Sequence, residues 1–344
     1  MRFSICVPNF NYAAYLKLTL ESVLRQTGAA FEICVADNNS SDGSQALIKR
    51  FASENAHIKC AFNATNLGFS DNLLAVSQMA AGDWHILLSA DDIMAEGTLN
   101  FYNDFIDTVG PGKKFAFHSS CDKIDSEGTK IGFLGPRNKV WRTTDIDANL
   151  SSTMGCDVYR VDSKEMLRRS LSTFYGPFNF AAACYSASSY IQAGGYTGGR
   201  MYNPDKWFHW RLLTVVDEVF FLDKPAFQYR WHSQNQAAIQ QKSQALKYLV
   251  DEYRNAIEVT PEMLSFAQMD TTVLQRNFIE EVIVKQAFAA IKNGRRKEAS
   301  RVLYFGLATF PVQSNRSKLF WTMKGLLLLG PIGTWAAKII RPQF

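Results

Sequence analysis

The chain has 344 residues, 47% of them hydrophobic and 20% charged, which is too long for one small domain and ordinary for a folded protein. Six cysteines without a Cys-x-x-Cys pair, and a start at Met1-Arg2-Phe3-Ser4 that runs straight into a strand-like segment, read as buried thiols, no secretory leader and a cytoplasmic setting. The net charge of +5 is uneven: residues 282–344 carry eleven Lys/Arg against Glu298 alone, a local balance of +10 that leaves −5 elsewhere. Such a tail calls for an anionic partner, either nucleic acid or an acidic membrane surface.

In chain order, residues 3–7 form a compact strand ended by Pro8, followed by the loop Asn9-Phe10-Asn11-Tyr12. A helix over about 13–26 places Leu16, Leu20 and Val23 on one face. A second strand covers 31–36, with the loop 37–43 after it, and a helix covers 44–54. A third strand near 58–62 leads to Asn66-Leu67-Gly68-Phe69 and a helix through Ala80, which Gly82 stops. Trp84 then opens a fourth strand. The alternation of strand and helix predicts a parallel, doubly wound sheet with right-handed crossovers.

The fourth strand, with Ile86-Leu87-Leu88 as its apolar run, ends in Ser89-Ala90-Asp91-Asp92 before a helix expected from Glu96. Adjacent carboxylates directly after a buried strand are costly in a core. At the carboxyl edge of an open α/β sheet, where ligands bind, they suit a hard divalent cation that can in turn hold phosphate. A helix N-cap is the plain alternative, but one Asp would serve for that. The loops carrying Asn9/Asn11, Asp37/Asn38 and Ser89/Asp91/Asp92 should converge on one crevice. Neither a Gly-x-Gly-x-x-Gly after the first strand nor a Gly-x-x-x-x-Gly-Lys-Ser/Thr is present, which disfavours dinucleotide oxidoreductases and P-loop NTPases.

Val7-Pro8-Asn9-Phe10-Asn11 resembles the Ile-Pro-x-Tyr-Asn opening of the family 2 nucleotide-sugar glycosyltransferases, which have the GT-A fold. The stretch 21–27 is similar to that family's first-helix ending, and 36–43 to its Asp-Asp-Gly-Ser-x-Asp-Gly loop, with Asn38 in place of the second Asp. Asn66-Leu67-Gly68-Phe69 and Asn72 resemble its Asn-x-Gly turn, and Ser89-Ala90-Asp91-Asp92 its Asp-x-Asp metal motif. Five such pieces in order within the first hundred residues form a specific pattern. It continues more thinly to about residue 236.

The resemblance implies a GT-A-type doubly wound, mostly parallel sheet flanked by helices over 1–235, with a nucleotide-binding half (about 1–110) and an acceptor half (about 111–235). A helical C-terminal region over 236–344 completes the chain. It implies that Pro8, Phe10 and Asn11 flank the nucleotide and that Asp37 accepts hydrogen bonds from base or ribose. Asn38, Asn66, Gly68, Asn72, Ser89, Ala90 and Asp92 complete the nucleotide-sugar site. Asp91 would ligate Mg²⁺ or Mn²⁺ bridging the diphosphate. Ser89 replaces the first carboxylate of the motif and is a poor cation ligand. His232 matches the His of the family's Tyr-Arg-x-His strand end, which by that resemblance completes the metal site as the second ligand, an ordinary surface or core histidine being the alternative; His57, His85, His118 and His209 read as structural. Ala193-Gly194-Gly195-Tyr196 is similar to the family's Gly-Gly-Phe turn, and in the helix that follows Asp205 takes the place of the catalytic base, with Pro204 where Glu is usual. Trp207 and Trp210 are read either as acceptor-side stacking surfaces or as packing.

The middle, 113–180, is where acceptor specificity is expected, with a strand at 115–119, a hairpin turn at Asp125-Ser126-Glu127-Gly128, and a mobile loop holding 135–138 and Trp141. Helical patterns run over 237–256, 261–292 and 297–309. The end, 319–340, is apolar but interrupted by Lys324, Gly330-Pro331 and Gly333, which suits an in-plane anchor with Trp321 and Trp335 at lipid headgroups better than a spanning helix. No nucleic-acid-binding motif is present. The expected activity is inverting, metal-assisted glycosyl transfer to a hydroxyl of a lipid-linked glycan or cell-surface polysaccharide, such as lipopolysaccharide O-antigen, at the inner face of the cell membrane. A sugar-nucleotide-forming nucleotidyltransferase and a non-catalytic nucleotide-sugar or membrane-binding protein are the alternatives.

Overall fold

A computed structural model of the chain describes residues 2–110, 112–199, 204–232 and 245–339. Two compact units emerge, Met1–Leu167 with Gly176–Asn235, and Arg168–Tyr175 with Gln236–Phe344.

The first unit is built on one mixed sheet. Its nucleotide half runs β1 (Arg2–Asn9), α1 (Ala13–Leu24), β2 (Ala30–Asp37), α2 (Ser44–Glu54), β3 (Ile58–Phe62), α3 (Phe69–Gln78) and β4 (Trp84–Leu87). Strands β5 (Ile93–Met94), β6 (Phe115–Ile124), β7 (Lys130–Leu134), β8 (Val158–Asp162), β9 (Cys184–Ser186) and β10 (Glu218–Arg230) follow, with α4 (Thr98–Val109), α5 (Ala148–Met154), α6 (Ser163–Thr173, whose residues from Arg168 on belong to the second unit), α7 (Ala187–Gln192) and α8 (Pro204–Leu212) between them. The order across the sheet is β3-β2-β1-β4-β9-β6-β10-β5, with β7 on β6 and β8 on β10. β1, β2, β3 and β4 are mutually parallel, as is β6 with β10; the remaining pairings are antiparallel. This is the mostly parallel α/β sheet expected. Helices on both faces leave Phe3, Ile5, Val7, Ile33, Val35 and Ile86 fully buried, which is why these strands read as continuous apolar runs.

One buried polar cluster fixes where β4 begins. Glu32 accepts from Ser4 Oγ (2.6 Å) and from the Ala81 amide (2.7 Å), and Lys59 Nζ lies 2.8 Å from its other oxygen. Ser4 Oγ also accepts from the Gly82 amide (2.8 Å). The chain leaving α3 is thus pinned to the sheet, and the register of β4, hence of Ser89–Asp92, follows from it.

Several sequence expectations need correcting. Ile93–Met94 pairs with β10 as a short strand, so the helix expected from Glu96 begins at Thr98. Trp141 is not part of a mobile loop: it is buried against His118 and Phe221, and its Nε1 donates to Pro177 O (3.0 Å). In the second unit the helix expected over 261–292 is interrupted after Pro261–Phe266, where Gln268 is left-handed (φ 53°) and Asp270 caps a new helix through the Val273 amide. It then passes through a π-helical stretch, Phe278–Val284, before Lys285–Lys292. Residues 237–244 of another expected helix lie outside the described residues, and its visible part is Ala245–Glu258. Arg296–Thr309, Pro311–Arg316, Lys318–Leu328 and Pro331–Ile339 complete the unit. Among the described residues no helix is long and apolar enough to cross a membrane.

Candidate active site

The loops after β1 and β2 are zipped together. Asn9 Nδ2 donates to Asp37 Oδ1 (2.8 Å) and Ser40 Oγ (3.2 Å); the Asn11 amide donates to Ser40 Oγ (2.9 Å). Asn11 Oδ1 accepts from the Ser41 amide (2.8 Å), and Asp42 Oδ2 from the Ala13 amide (2.8 Å), which starts α1. Asn11 and Asn39 take left-handed backbone (φ 57° and 60°), a conformation Asn tolerates better than most residues. Asp37 is fully buried, with its second oxygen accepting from the Ser40 amide (2.9 Å). The carboxylate shapes the loop; Phe10, Asn11, Asn39, Ser41, Asp42, Asn66 and Leu67 are among the exposed side chains of these loops.

Asn38 organises the neighbouring loop. Its Nδ2 donates to Asn66 Oδ1 (2.8 Å) and Gly68 O (3.1 Å), while its Oδ1 accepts from Asn63 Nδ2 (3.1 Å) and the Leu67 amide (2.9 Å). Backbone partners on both sides leave no ambiguity about which end of the amide is which. Asn72 accepts from Asn63 Nδ2 (2.9 Å) and donates to Ala36 O (3.1 Å) and Asn9 O (3.3 Å). Gly68, at φ 85° and ψ 171°, occupies a region closed to side chains and lets α3 start directly behind this cluster.

The loop after β4 lies between these and the end of β10. Ser89 Oγ donates to Asp91 Oδ1, and Asp91 Oδ2 lies 2.9 Å from His232 Nε2. Both residues are buried, and the imidazole packs against Tyr15 (5.0 Å between ring centroids) and edge-on to Tyr12 (5.8 Å). Thr19 Oγ1 reaches Ala90 O (3.0 Å) and Asp92 O (2.8 Å), so α1 holds the loop from below. Asp92 accepts from the Arg230 amide (2.8 Å); burial, with Asp91 beside it, pushes its carboxyl well above the usual range. Pro8 is buried at the end of β1, next to this loop in the sheet.

The pair Asp91 and His232 fits one divalent cation. Octahedral ligands at about 2.1 Å from an ion stand about 3 Å apart, the spacing these two atoms already have. No group of three or more His, Cys, Asp or Glu suited to a metal occurs among the described residues. Oxygen from a bound diphosphate and water would have to complete the shell. When bound, such an ion supplies charge neutralisation at the leaving phosphate.

Asp205 occupies the first turn of α8, partly buried, and burial raises its carboxyl above the ordinary value despite the nearby Lys206 and Arg137 charges. The turn before it, Gly194-Gly195, is left-handed at both residues (φ 77° and 59°); a Cβ on Gly195 would lie 2.8 Å from the Tyr190 ring. Tyr196 then hydrogen-bonds Tyr185 of β9 (3.1 Å), and Ser70 Oγ at the start of α3 donates to Thr197 O (2.9 Å). The 194–199 segment is therefore tied to the start of the helix that the Asn38 cluster positions. Asn203 lies outside the described residues. Trp207 and Trp210 are buried in α8 and serve packing, with Arg211 over the Trp207 ring (5.4 Å). His118 and His209 are also buried, on either side of Phe178 (5.2 and 4.9 Å between centroids), and burial holds both rings neutral, His209 down to about 3.

Four contributors were not singled out from sequence: Tyr12, Tyr15, Thr19 and Arg137. The two tyrosines follow the Asn-x-Asn loop within one helical turn. Thr19 and Arg137 meet their partners only through the tertiary fold.

The mostly parallel α/β sheet flanked by helices, with interlocked polar loops at its carboxyl edge, is a fold of the GT-A type. Residues 4–103 match the Glycosyl transferase family 2 domain. Among curated proteins, 148 residues are 32% identical to the abequosyltransferase RfbV of Salmonella typhimurium, covering 42% of this chain and 43% of that protein. Over 94 residues the chain is 33% identical to a PGL/p-HBAD biosynthesis glycosyltransferase of Mycobacterium bovis, covering 27% of this chain and 37% of that protein. The matched stretch thus spans less than half the length of these relatives. Among solved structures, S. aureus TarS 1-349 in complex with UDP-GlcNAc superposes with a TM-score of 0.65 over 98% of this chain and 89% of that one; at 14% identity this shows a shared fold.

Proposed function

We propose that the protein transfers a sugar from a nucleotide diphosphate sugar to a hydroxyl of a lipid-linked glycan or cell-surface polysaccharide, with inversion at the anomeric carbon. The observation that carries the reading is the Ser89–Asp91–His232 chain of contacts at the carboxyl edge of β1, β2 and β4, with Asp205 in the first turn of α8. Pro8, Phe10, Asn11 and the loop organised by Asp37 and Asn38 receive the nucleotide; Asn66, Gly68 and Asn72 hold that loop in shape. Asp91 and His232 take Mg²⁺ or Mn²⁺. Asp205, its basicity raised by burial, accepts the proton of the acceptor hydroxyl as the new bond forms on the face opposite the departing diphosphate. Ser89 steers one Asp91 oxygen so that the other faces His232.

The second unit supplies the site of action in this reading. The outer stripe of Pro331–Ile339, with Ile332, Trp335 and Ile339 each at least 60% exposed, adjoins Leu328 and Leu329 in a region rich in Lys and Arg. Exposed apolar side chains framed by cations suit the headgroup layer of an acidic membrane.

The test is Asp205→Asn. Release of nucleoside diphosphate on addition of acceptor should fall at least about a hundredfold while donor binding, followed by thermal shift, persists. Unchanged turnover rejects Asp205 as base.

A further inference from the structure

Arg230 ends β10 two residues before His232, and its side chain is buried. Buried cations are costly unless they are paired or hydrogen-bonded. This one is directed at backbone carbonyls from two separate places: Nε donates to Asp91 O (2.9 Å), and one terminal nitrogen donates to Asp125 O and Ser126 O (3.1 Å each). The guanidinium also lies 4.8 Å from the Tyr15 ring centroid, the ring that packs on His232. Its own amide donates to Asp92. One residue therefore grips the loop after β4 from the main chain, braces the aromatic wall of the imidazole, and reaches the turn of the β6–β7 hairpin in the other half of the unit. Asp91 is held by Arg230 at its carbonyl and by Ser89 and His232 at its carboxylate.

We propose that Arg230 is the positioning residue that sets the Asp91–His232 spacing and couples it to the β6–β7 turn. The inference rests on the reading of Asp91 and His232 as cation ligands. Second-sphere groups of this kind orient ligands without touching the ion. A planar fork is required, since lysine keeps the charge but cannot satisfy Asp91 O and the two turn carbonyls at once. The turn has its own internal brace: Asp125 Oδ1 accepts from the Glu127 and Thr129 amides (3.0 and 2.9 Å). Loosening that brace should move carbonyls that Arg230 holds, and so reach His232 through Arg230.

The test uses the full-length protein labelled in the rings of its five histidines, with the His232 NMR signal identified as the one lost in His232→Gln. Mn²⁺ alone is the probe, through its paramagnetic broadening of that signal. Arg230→Lys should raise the Mn²⁺ concentration for half-broadening by about tenfold or more. Asp125→Ala, which leaves the cation pair and Arg230 untouched, should shift the His232 signal and raise that concentration by a smaller factor. The double variant should be no worse than Arg230→Lys alone. If Arg230→Lys does not fold, Asp125→Ala carries the test by itself. A His232 signal and Mn²⁺ response unchanged in these variants, or additive effects in the double variant, overturns the proposal. Absence of Mn²⁺ broadening in the wild type instead rejects the cation reading, while a His232 shift in Asp125→Ala still supports the coupling.

Discussion

Replacing Asn38 by Asp, the residue the family pattern carries at this place, should destabilise this protein. The amide nitrogen of Asn38 donates to Asn66 Oδ1 and Gly68 O, and the oxygen accepts from Asn63 and the Leu67 amide. A carboxylate preserves the two accepted bonds and turns both donated ones into contacts between acceptors in a buried site. Each acceptor left unsatisfied costs about 1–3 kcal/mol, giving about 2–6 kcal/mol for the pair. For a domain of this size that corresponds to a fall in Tm of about 5–15 °C at pH 7. Protonation restores one donor, so the new carboxyl has a raised pKa in the fold and the deficit should shrink as the pH drops toward 4. Thermal unfolding followed by near-UV circular dichroism at pH 7 and pH 4.5 measures both effects. A Tm within about 1 °C of wild type at pH 7 would refute the role assigned to Asn38.

Other consequences are equally direct. His85 and His209 are buried, and burial lowers them to about 4 and about 3. The unfolded chain takes up their protons below about pH 6.5 and the folded chain does not, so stability falls as pH drops from 6.5 toward 3, by about 3 kcal/mol or more for each ring. Neither ring nitrogen of His209 has a partner, and His209→Phe should flatten that acid limb in urea titrations; an unchanged limb contradicts the assignment. Gly195→Ala forces a side chain into left-handed backbone and against Tyr190 and should cost about 1–3 kcal/mol. Trp335→Glu should reduce co-sedimentation with phosphatidylserine vesicles, and salt should weaken the wild-type interaction; equal binding by the variant argues against that face.

Much of this was legible in the sequence, for local reasons. The helix Ser44–Glu54 and the strand Ile58–Phe62 have the bounds that periodicity and turn residues gave them. The crevice follows from topology: once β1, β2 and β4 are parallel neighbours, their loops share an edge. What periodicity cannot carry is which polar group faces the cleft and which faces the protein. Asp37 and Asn38 are polar and sit at that edge, yet both are buried because Asn9, Ser40, Asn63 and Asn66 claim them. Contacts such as Thr19 to Asp92 and Arg230 to Asp91 span 73 and 139 residues of chain, and no local pattern encodes them. Ile93–Met94 is too short to show a period and becomes a strand only because β10 pairs with it.

A cation held by Asp91 and His232 against the diphosphate of a nucleotide sugar is tested by nucleoside diphosphate release from a panel of nucleotide sugars with and without Mn²⁺, in the wild type and Asp91→Asn. Mn²⁺ should stimulate release from at least one donor, and Asp91→Asn should lose about a hundredfold or more of it. Release that ignores Mn²⁺ and survives in Asp91→Asn would contradict it.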